Sequence, residues 1–335
     1  MSLPTPLVAS LGDPAGVGPE LLAEAWARRE SAGIAPFFVT GGARLLVAAA
    51  RSRGIDLPVQ PIADPSEAQA AFPRALPVLG DADADWRPGE PDRAGAALAL
   101  ASLQQAAALA SSSRACALVT GPIAKARLAE VGFTHPGQTE FVAEACGIDP
   151  VDAVMMLAGP SLRTVPITVH MALAEVPQRL TSALIERKGR IVAMAMARDF
   201  GLARPRLAFA ALNPHAGEEG RMGDEEARII APALERLRAE GIDATGPHPA
   251  DALFAPRARQ TYDVALCMYH DQALIPLKAL DFDNGLNMTL GLPIVRTSPD
   301  HGTAFGIAGK GLADPGAMLA AFRMAADCAA RRAAR

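Results

Sequence analysis

Three of the chain's six histidines share a setting that suits a metal ion. His170 closes the run Pro166-Ile167-Thr168-Val169, His215 follows Leu207–Leu212 within Asn213-Pro214-His215, and His270 follows Val264–Tyr269 and precedes Asp271-Gln272. In open α/β sheets, ligands collect beyond the carboxyl ends of the strands. Imidazoles at three such ends can converge on one divalent cation and leave positions open for substrate or water. Nitrogen ligands favour zinc or cobalt, and open oxygen positions also admit magnesium or manganese. The intervals between the histidines match no short ligand motif, so hydrogen-bonded loop histidines are the alternative reading.

Two further stretches could carry chemistry. The loop Leu11–Glu20 joins a first strand to a first helix, and its Gly12, Gly16 and Gly18 permit positive φ or close approach. Together with Asp13 it could face a phosphate or carboxylate at the helix N-terminus, or it is simply a tight strand–helix turn. It is not the Gly-x-Gly-x-x-Gly dinucleotide fingerprint. The region Asn284–Gly311 places Asn287, Arg296, Asp300, His301, Gly302, Thr303, Gly309, Lys310 and Gly311 in apolar surroundings. Arg296 ends the run Leu292–Val295, where a guanidinium can grip a carboxylate or phosphate through two donors. Lys278 could act as a point charge or move a proton, with a solvated lysine as the plain alternative. His248, between two prolines, reads as a turn residue, and His135 precedes a polar helix start at Gln138, Thr139 and Glu140.

Short apolar runs must position these groups: Leu7–Leu11, Pro36–Thr40, Ala115–Thr120, Ala153–Ala158, Val165–Val169, Arg206–Leu212, Asp263–Met268 and Ile294–Thr297. They alternate with segments of helical length, Pro19–Arg29, Ala94–Ser111, Ala174–Asp199, Asp224–Glu240 and Pro315–Arg335. The alternation predicts an α/β protein with a buried, largely parallel sheet. Asp224 is the expected cap of its helix, followed by acidic Glu225 and Glu226 in the first turn. Ile62–Glu90, rich in Pro, Asp and Ala, reads as irregular surface. Half the residues are hydrophobic, enough for one large domain or two closely joined ones.

A net charge of −4 gives no general attraction to nucleic acid or anionic membrane. Arg331, Arg332 and Arg335 complement the C-terminal end of a helix. The four cysteines, Cys116, Cys146, Cys267 and Cys328, are far apart and form no Cys-x-x-Cys pair, which fits reduced thiols in a cytosol. The N-terminus lacks the charged start of a secretory signal, and Ala94–Ala110 is broken by Gln104 and Gln105. The expectation is a cytoplasmic protein without a membrane span.

Seven segments then resemble the 4-hydroxythreonine-4-phosphate dehydrogenase family of pyridoxal phosphate biosynthesis: GDPAGVGPE (12–20), TGPIAK (120–125), PGQTEF (136–141), LNPHAGEEGRMGDEE (212–226), PADALF (249–254), MYHDQALIPLK (268–278) and LNMTLGLPIVRTSPDHGTAFGIAGKG (286–311). In order and over essentially the whole chain, they are highly specific. The first and last are also similar to the β-decarboxylating dehydrogenases, such as isopropylmalate dehydrogenase. The resemblance implies two α/β/α domains with the active site in a cleft between them, in a homodimer. It places much of the NAD site in a domain of residues 1–135 plus 290–335, and the metal ligands and dimer interface in residues 136–289.

The implied reaction is NAD-dependent oxidation of 4-phosphooxy-threonine to a 3-oxo acid, which decarboxylates to 3-amino-2-oxopropyl phosphate. NADP is the alternative cofactor. His170, His215 and His270 match the metal ligands, one of them given across the dimer interface in such enzymes. Gln138, Thr139, Lys278, Asn287 and Arg296 match substrate positions, and Lys278 and Asp251 are candidate bases. Gly12, Asp13, Gly16 and Gly18 join His301, Gly302, Thr303, Ala304, Gly309, Lys310 and Gly311 as cofactor candidates.

One departure matters: the family commonly has His-Thr where this chain has Gln138-Thr139. Glutamine can donate or accept, but it does not titrate near neutrality. That keeps open a sister dehydrogenase for threonate or erythronate phosphate or for a cyclic diol acid. A metal-dependent hydrolase and a non-catalytic binding protein are rivals from other classes. The Ala308–Gly311 loop argues against the first, and the complete set of Lys278, Asn287, Arg296 and three histidines against the second.

Overall fold

All eight apolar runs overlap a strand in the computed structural model, which describes residues Leu3–Ala334. In chain order the strands are β1 Leu7–Ser10, β2 Phe37–Thr40, β3 Val59–Ile62, β4 Leu76–Leu79, β5 Leu118–Thr120, β6 Val154–Ala158, β7 Arg163–Pro166, β8 Arg206–Ala210, β9 Asp243–His248, β10 Val264–Cys267, β11 Leu286–Leu290 and β12 Arg296–Pro299. The chain divides into two compact units. One comprises Met1–Pro150, Leu286–Met288 and Leu292–Arg335, and the other Val151–Gly285 and Thr289–Gly291.

In the first unit the strand order is β3-β4-β2-β1-β5-β12. Every pairing is parallel, in keeping with the buried apolar runs of β1, β2, β4 and β5. The helix Arg93–Ser111 packs on β1, β2 and β5, and Gly316–Ala333 packs on β5, β12 and the helix Gly18–Ala27. Arg93–Ser111 is long and apolar enough to cross a membrane by composition alone, contrary to the sequence reading. Its inner side is that of a core helix, with Ala99, Leu103, Ala106 and Ala107 buried. Asp92 Oδ1 caps it by accepting from Gly95 N at 2.7 Å.

In the second unit the order is β6-β7-β10-β8-β9, parallel except for the β6–β7 pair. The helices Ser182–Phe200 and Ala231–Ala239 pack together, and Gly189 permits this, since a Cβ there would meet Leu237 at 2.7 Å. The helix His270–Asp281 packs on β6, β7 and β10. Pro276 lies inside it and removes one hydrogen bond of its ladder.

Several expectations are corrected. The first unit runs on to Pro150 rather than 135, because the helix Gln138–Ala145 packs on Arg93–Ser111, with Phe141 against Leu103, Leu128 and Phe133. Ile62–Glu90 is not irregular throughout: it holds β4, buried between β2 and β3. Ala174–Asp199 is broken at Leu180, and the long helix begins only at Ser182, capped by Thr181 Oγ1. Asp224 does precede the helix, and its carbonyl accepts from Arg228 N at 2.9 Å. Among the described residues, however, its carboxylate pairs with the Arg228 side chain rather than with a backbone N–H, and the helix runs straight into a π-turn, Glu226–Ile230. Arg335 lies outside the described residues.

Lys188 is 7% exposed, and burial pushes its ammonium down to about 8. The unfolded chain therefore holds a proton that the native state has released between pH 8 and the ordinary lysine value of 10.5, so stability rises with pH across that window. Below it the desolvation cost is fully present. Lys188→Met is expected to stabilise the protein at neutral pH by about 1–3 kcal/mol and to flatten stability between pH 8 and 10.5. Thermal unfolding at pH 7 and pH 10 checks this. A lower Tm at pH 7 would mean that the Nζ bond to Pro166 O, long at 3.4 Å, outweighs the burial cost.

Candidate functional site

In the second unit the three histidines follow β7, β8 and β10, which are adjacent and mutually parallel. The strand-end placement read from sequence is the observed one. His170 lies four residues beyond β7, His215 five beyond β8, and His270 opens the helix that follows β10. Thr168 Oγ1 donates to Met268 O at 2.7 Å, tying the end of β7 to that of β10. Buried Gln272 accepts from Met268 N and donates to Ala211 O, both at 2.7 Å, tying β10 to β8. Neither side chain stood out in sequence, because each acts on backbone about sixty or a hundred residues away.

The rings of His170 and His270 lie 5.7 Å apart between centroids. They line an open pocket of about 460 Å³ with Thr168, Val176, Tyr269 and Asp271. Asp271 Oδ1 is 2.7 Å from His270 Nδ1, the carboxylate–imidazole arrangement that leaves Nε2 for a metal. This donor pair fits part of a divalent-metal site. Among the described residues no group of three or more His, Cys, Asp or Glu is gathered around one point, so one chain does not bring His215 into a set with the other two. His170 and His215 both have left-handed backbones, at φ 45° and 52°. Such conformations in non-glycine residues cluster at functional sites. Lys278 lies two turns along the helix from His270, with Nζ 5.7 Å from the Phe282 ring. Asp251 is exposed on the short helix Ala250–Leu253, which packs against the His215 segment Pro214–Gly220.

In the first unit Arg296 begins β12, one residue later than the run that suggested it. It is 3% exposed. Nη2 donates to Thr120 Oγ1 and to Gln138 Oε1, each at 2.7 Å, and Nη1 reaches Thr139 Oγ1 at 3.5 Å. Gln138 Nε2 donates in turn to Gly121 O at 2.9 Å. Gln138 thus locks the guanidinium to the end of β5. Burial pushes the Arg296 guanidinium down to about 10, opposed by the nearby Glu140. A half-buried Asn287 also belongs to this unit, and its Oδ1 has no hydrogen-bond partner among the described residues.

The two glycine-bearing loops meet in the same unit. Residues Leu11 to Glu20 are all buried. A Cβ at Gly12 would lie 2.7 Å from Pro122 O, one at Gly16 2.7 Å from Thr303 O, and one at Gly18 2.9 Å from Leu11 O. These glycines therefore admit protein backbone, which supports the turn reading of the loop. Asp13 Oδ1 accepts from Ala15 N at 3.0 Å, and burial holds the carboxyl above its ordinary pKa. Val17 N donates to Thr303 O at 3.0 Å, and Glu20 accepts from Gly309 N. The first loop thereby props the second. The second is open outward: His301, Gly302, Ala304, Lys310 and Gly311 are exposed, and nothing lies within 4 Å of a Cβ at Gly302. Pro88 packs at 2.7 Å from a Cβ at Gly309, and the buried Nε1 of neighbouring Trp86 has no partner among the described residues. An open glycine loop beside an orphaned donor fits a nucleotide. Trp86 was missed because its segment reads as surface.

A sequence model of the pyridoxal phosphate biosynthetic protein PdxA matches residues 33–325. The chain belongs to the PdxA family. It is 62% identical over 328 residues to the 4-hydroxythreonine-4-phosphate dehydrogenase of Erythrobacter litoralis (strain HTCC2594), covering 98% of each chain. Among solved structures, the 4-hydroxythreonine-4-phosphate dehydrogenase from Klebsiella pneumoniae is 37% identical, with a TM-score of 0.86 over 97% of this chain and 99% of that one. A terephthalate 1,2-cis-dihydrodiol dehydrogenase from Burkholderia xenovorans LB400 is 29% identical, with a TM-score of 0.65 over 96% and 98%. That relative is named for a dihydrodiol.

Proposed function

We propose that this PdxA family member oxidises 4-phosphooxy-threonine with NAD and releases carbon dioxide from the resulting 3-oxo acid. The observation that carries the reading is Arg296, a buried guanidinium fixed by Thr120 and Gln138. Such a cation gains most from an anionic ligand, because burial has removed the water that would otherwise solvate it. Thr139 and Asn287 add neutral donors and acceptors for substrate phosphate or carboxylate.

His170, His270 and His215 would hold a divalent ion, which would supply Lewis-acid stabilisation of the reacting oxygen, and NAD, or NADP in its place, would supply the hydride acceptor. The ion is zinc, magnesium or cobalt. The chain's residues do the rest. Lys278 or Asp251 takes the hydroxyl proton as the adjacent C–H leaves as hydride. The product has its carboxylate β to the new carbonyl, so its C–C bond can break to carbon dioxide and an enolate, which is then protonated to 3-amino-2-oxopropyl phosphate. His301 to Ala304 and Gly309 to Gly311 hold the dinucleotide, with Gly12, Asp13, Gly16 and Gly18 beneath them. The protein works in the cytoplasm as a homodimer whose partner completes the metal site. That reading is supported by the exposed apolar side chains Met171, Leu173, Ile275 and Phe282 on the segments that carry His170 and His270.

The expected result is NADH formation from 4-phosphooxy-threonine, with one carbon dioxide released per NADH and loss of activity in chelator. NADH without carbon dioxide would point to a diol or sugar-acid substrate. The relative named for a dihydrodiol makes that the second reading.

A further inference from the structure

The loop that carries His215 is bent in a way that its own sequence disfavours. His215, Ala216, Gly217, Glu218 and Glu219 all have positive φ, at 52°, 53°, 79°, 42° and 56°. Four of the five carry a Cβ that crowds the carbonyl in this region. Such a run persists only where the surroundings over-determine it.

Glu226 is the buried group that holds the base of this run. It is 6% exposed. Oε1 accepts from Leu212 N at 2.9 Å and Asn213 N at 2.7 Å, and Oε2 accepts from Asn213 Nδ2 at 3.0 Å. Glu225 Oε2 accepts from the same Asn213 nitrogen at 2.7 Å. A Cβ at Gly217 would lie 2.7 Å from Glu226 Oε2, so the carboxylate sits directly against the turn. Glu226 also opens the π-turn Glu226–Ile230 ahead of the helix Ala231–Ala239. A π-turn admits an extra residue into a helix and recurs at functional sites.

We infer that Glu226 is a positioning residue for His215. Its carboxylate fixes the Leu212 and Asn213 amides at the base of the left-handed turn, and with them the direction in which the imidazole is presented. The inference rests on the proposed reading of His215 as a metal ligand.

Glu226→Gln replaces one acceptor oxygen by a donor facing Asn213 Nδ2. The apo-protein, titrated with Co²⁺ or Zn²⁺ against a chromophoric chelator, should bind about 10- to 100-fold more weakly in this variant. Its Tm should stay close to the parent's, while amide hydrogen exchange across residues 211–222 speeds up. Asn213→Ala attacks the same contact from the other side and carries the test if Glu226→Gln does not fold. His215→Ala is measured in parallel. If His215→Ala weakens metal binding while the variants at 226 and 213 keep the parent affinity, the inference is overturned and the metal reading stands. If His215→Ala itself keeps the parent affinity, the metal reading falls and the inference falls with it.

Discussion

Arg296→Lys is expected to lower kcat/KM for 4-phosphooxy-threonine about 100-fold, or roughly 2.7 kcal/mol, with most of the loss in KM. The reasoning is geometric. In the native protein the fork is rigid and planar: one nitrogen donates to Thr120 and Gln138, and the other terminal nitrogen reaches Thr139, itself a proposed substrate contact. A lysine keeps the charge but is a single point that cannot serve both edges. Gln138→Met keeps much of the volume and releases the guanidinium, so it should show a smaller loss in the same direction. Steady-state NADH formation measures both. A kcat/KM within threefold of the parent for Arg296→Lys would show that Arg296 only supports β12.

His270→Ala is expected to reduce turnover by about a thousandfold or more, with NAD affinity within a few-fold of the parent. The imidazole is one of a close pair, and its Nδ1 is engaged by Asp271, so its other nitrogen is oriented for an ion. Asp271→Asn leaves the ligand in place and loosens its support, for which about a 10- to 100-fold weaker metal affinity is expected. Because the proposed cofactor contacts come from His301–Gly311, propped from beneath by Gly12–Gly18, NAD binding followed by calorimetry should be nearly unchanged. Normal turnover by His270→Ala would refute the metal assignment.

These expectations differ in how much of their basis could be read from sequence. Strands β1, β2, β6, β8 and β10 were plain, because a largely buried strand is a short apolar run whatever its neighbours. The strand β9 was not: Asp243–His248 contains Asp, Gly and Pro, and it pairs only through its place beside β8, with an irregularity at Ala208/Ala210. The strand β4 was hidden in a Pro- and Asp-rich stretch for a similar reason, since its burial comes from β2 and β3 rather than from its own flanks.

At the site, the histidines were legible as strand-end residues, yet their geometry was not. That His170 and His270 form a pair depends on β7 lying beside β10, which no local spacing encodes. The role of Gln138 was visible only as a departure from the family pattern. The structure gives it a physical meaning: across 158 residues of sequence its Oε1 accepts from Arg296, while its amide nitrogen donates to Gly121. The buried glycines of the first loop show the opposite case. Their type was noticed at once, but what crowds them is Pro122 and Thr303, so the feature most like a phosphate cradle proved to be a prop for the loop above it.

The most direct test of the central claim is a comparison of NADH formation from 4-phosphooxy-threonine, threonate phosphate, erythronate phosphate and a cyclic diol acid, each with and without chelator. The account predicts the highest kcat/KM for 4-phosphooxy-threonine, by about tenfold or more over the rest, and loss of that rate in chelator. A negligible rate with 4-phosphooxy-threonine beside rapid turnover of any other member would contradict it, as would phosphate release without NADH.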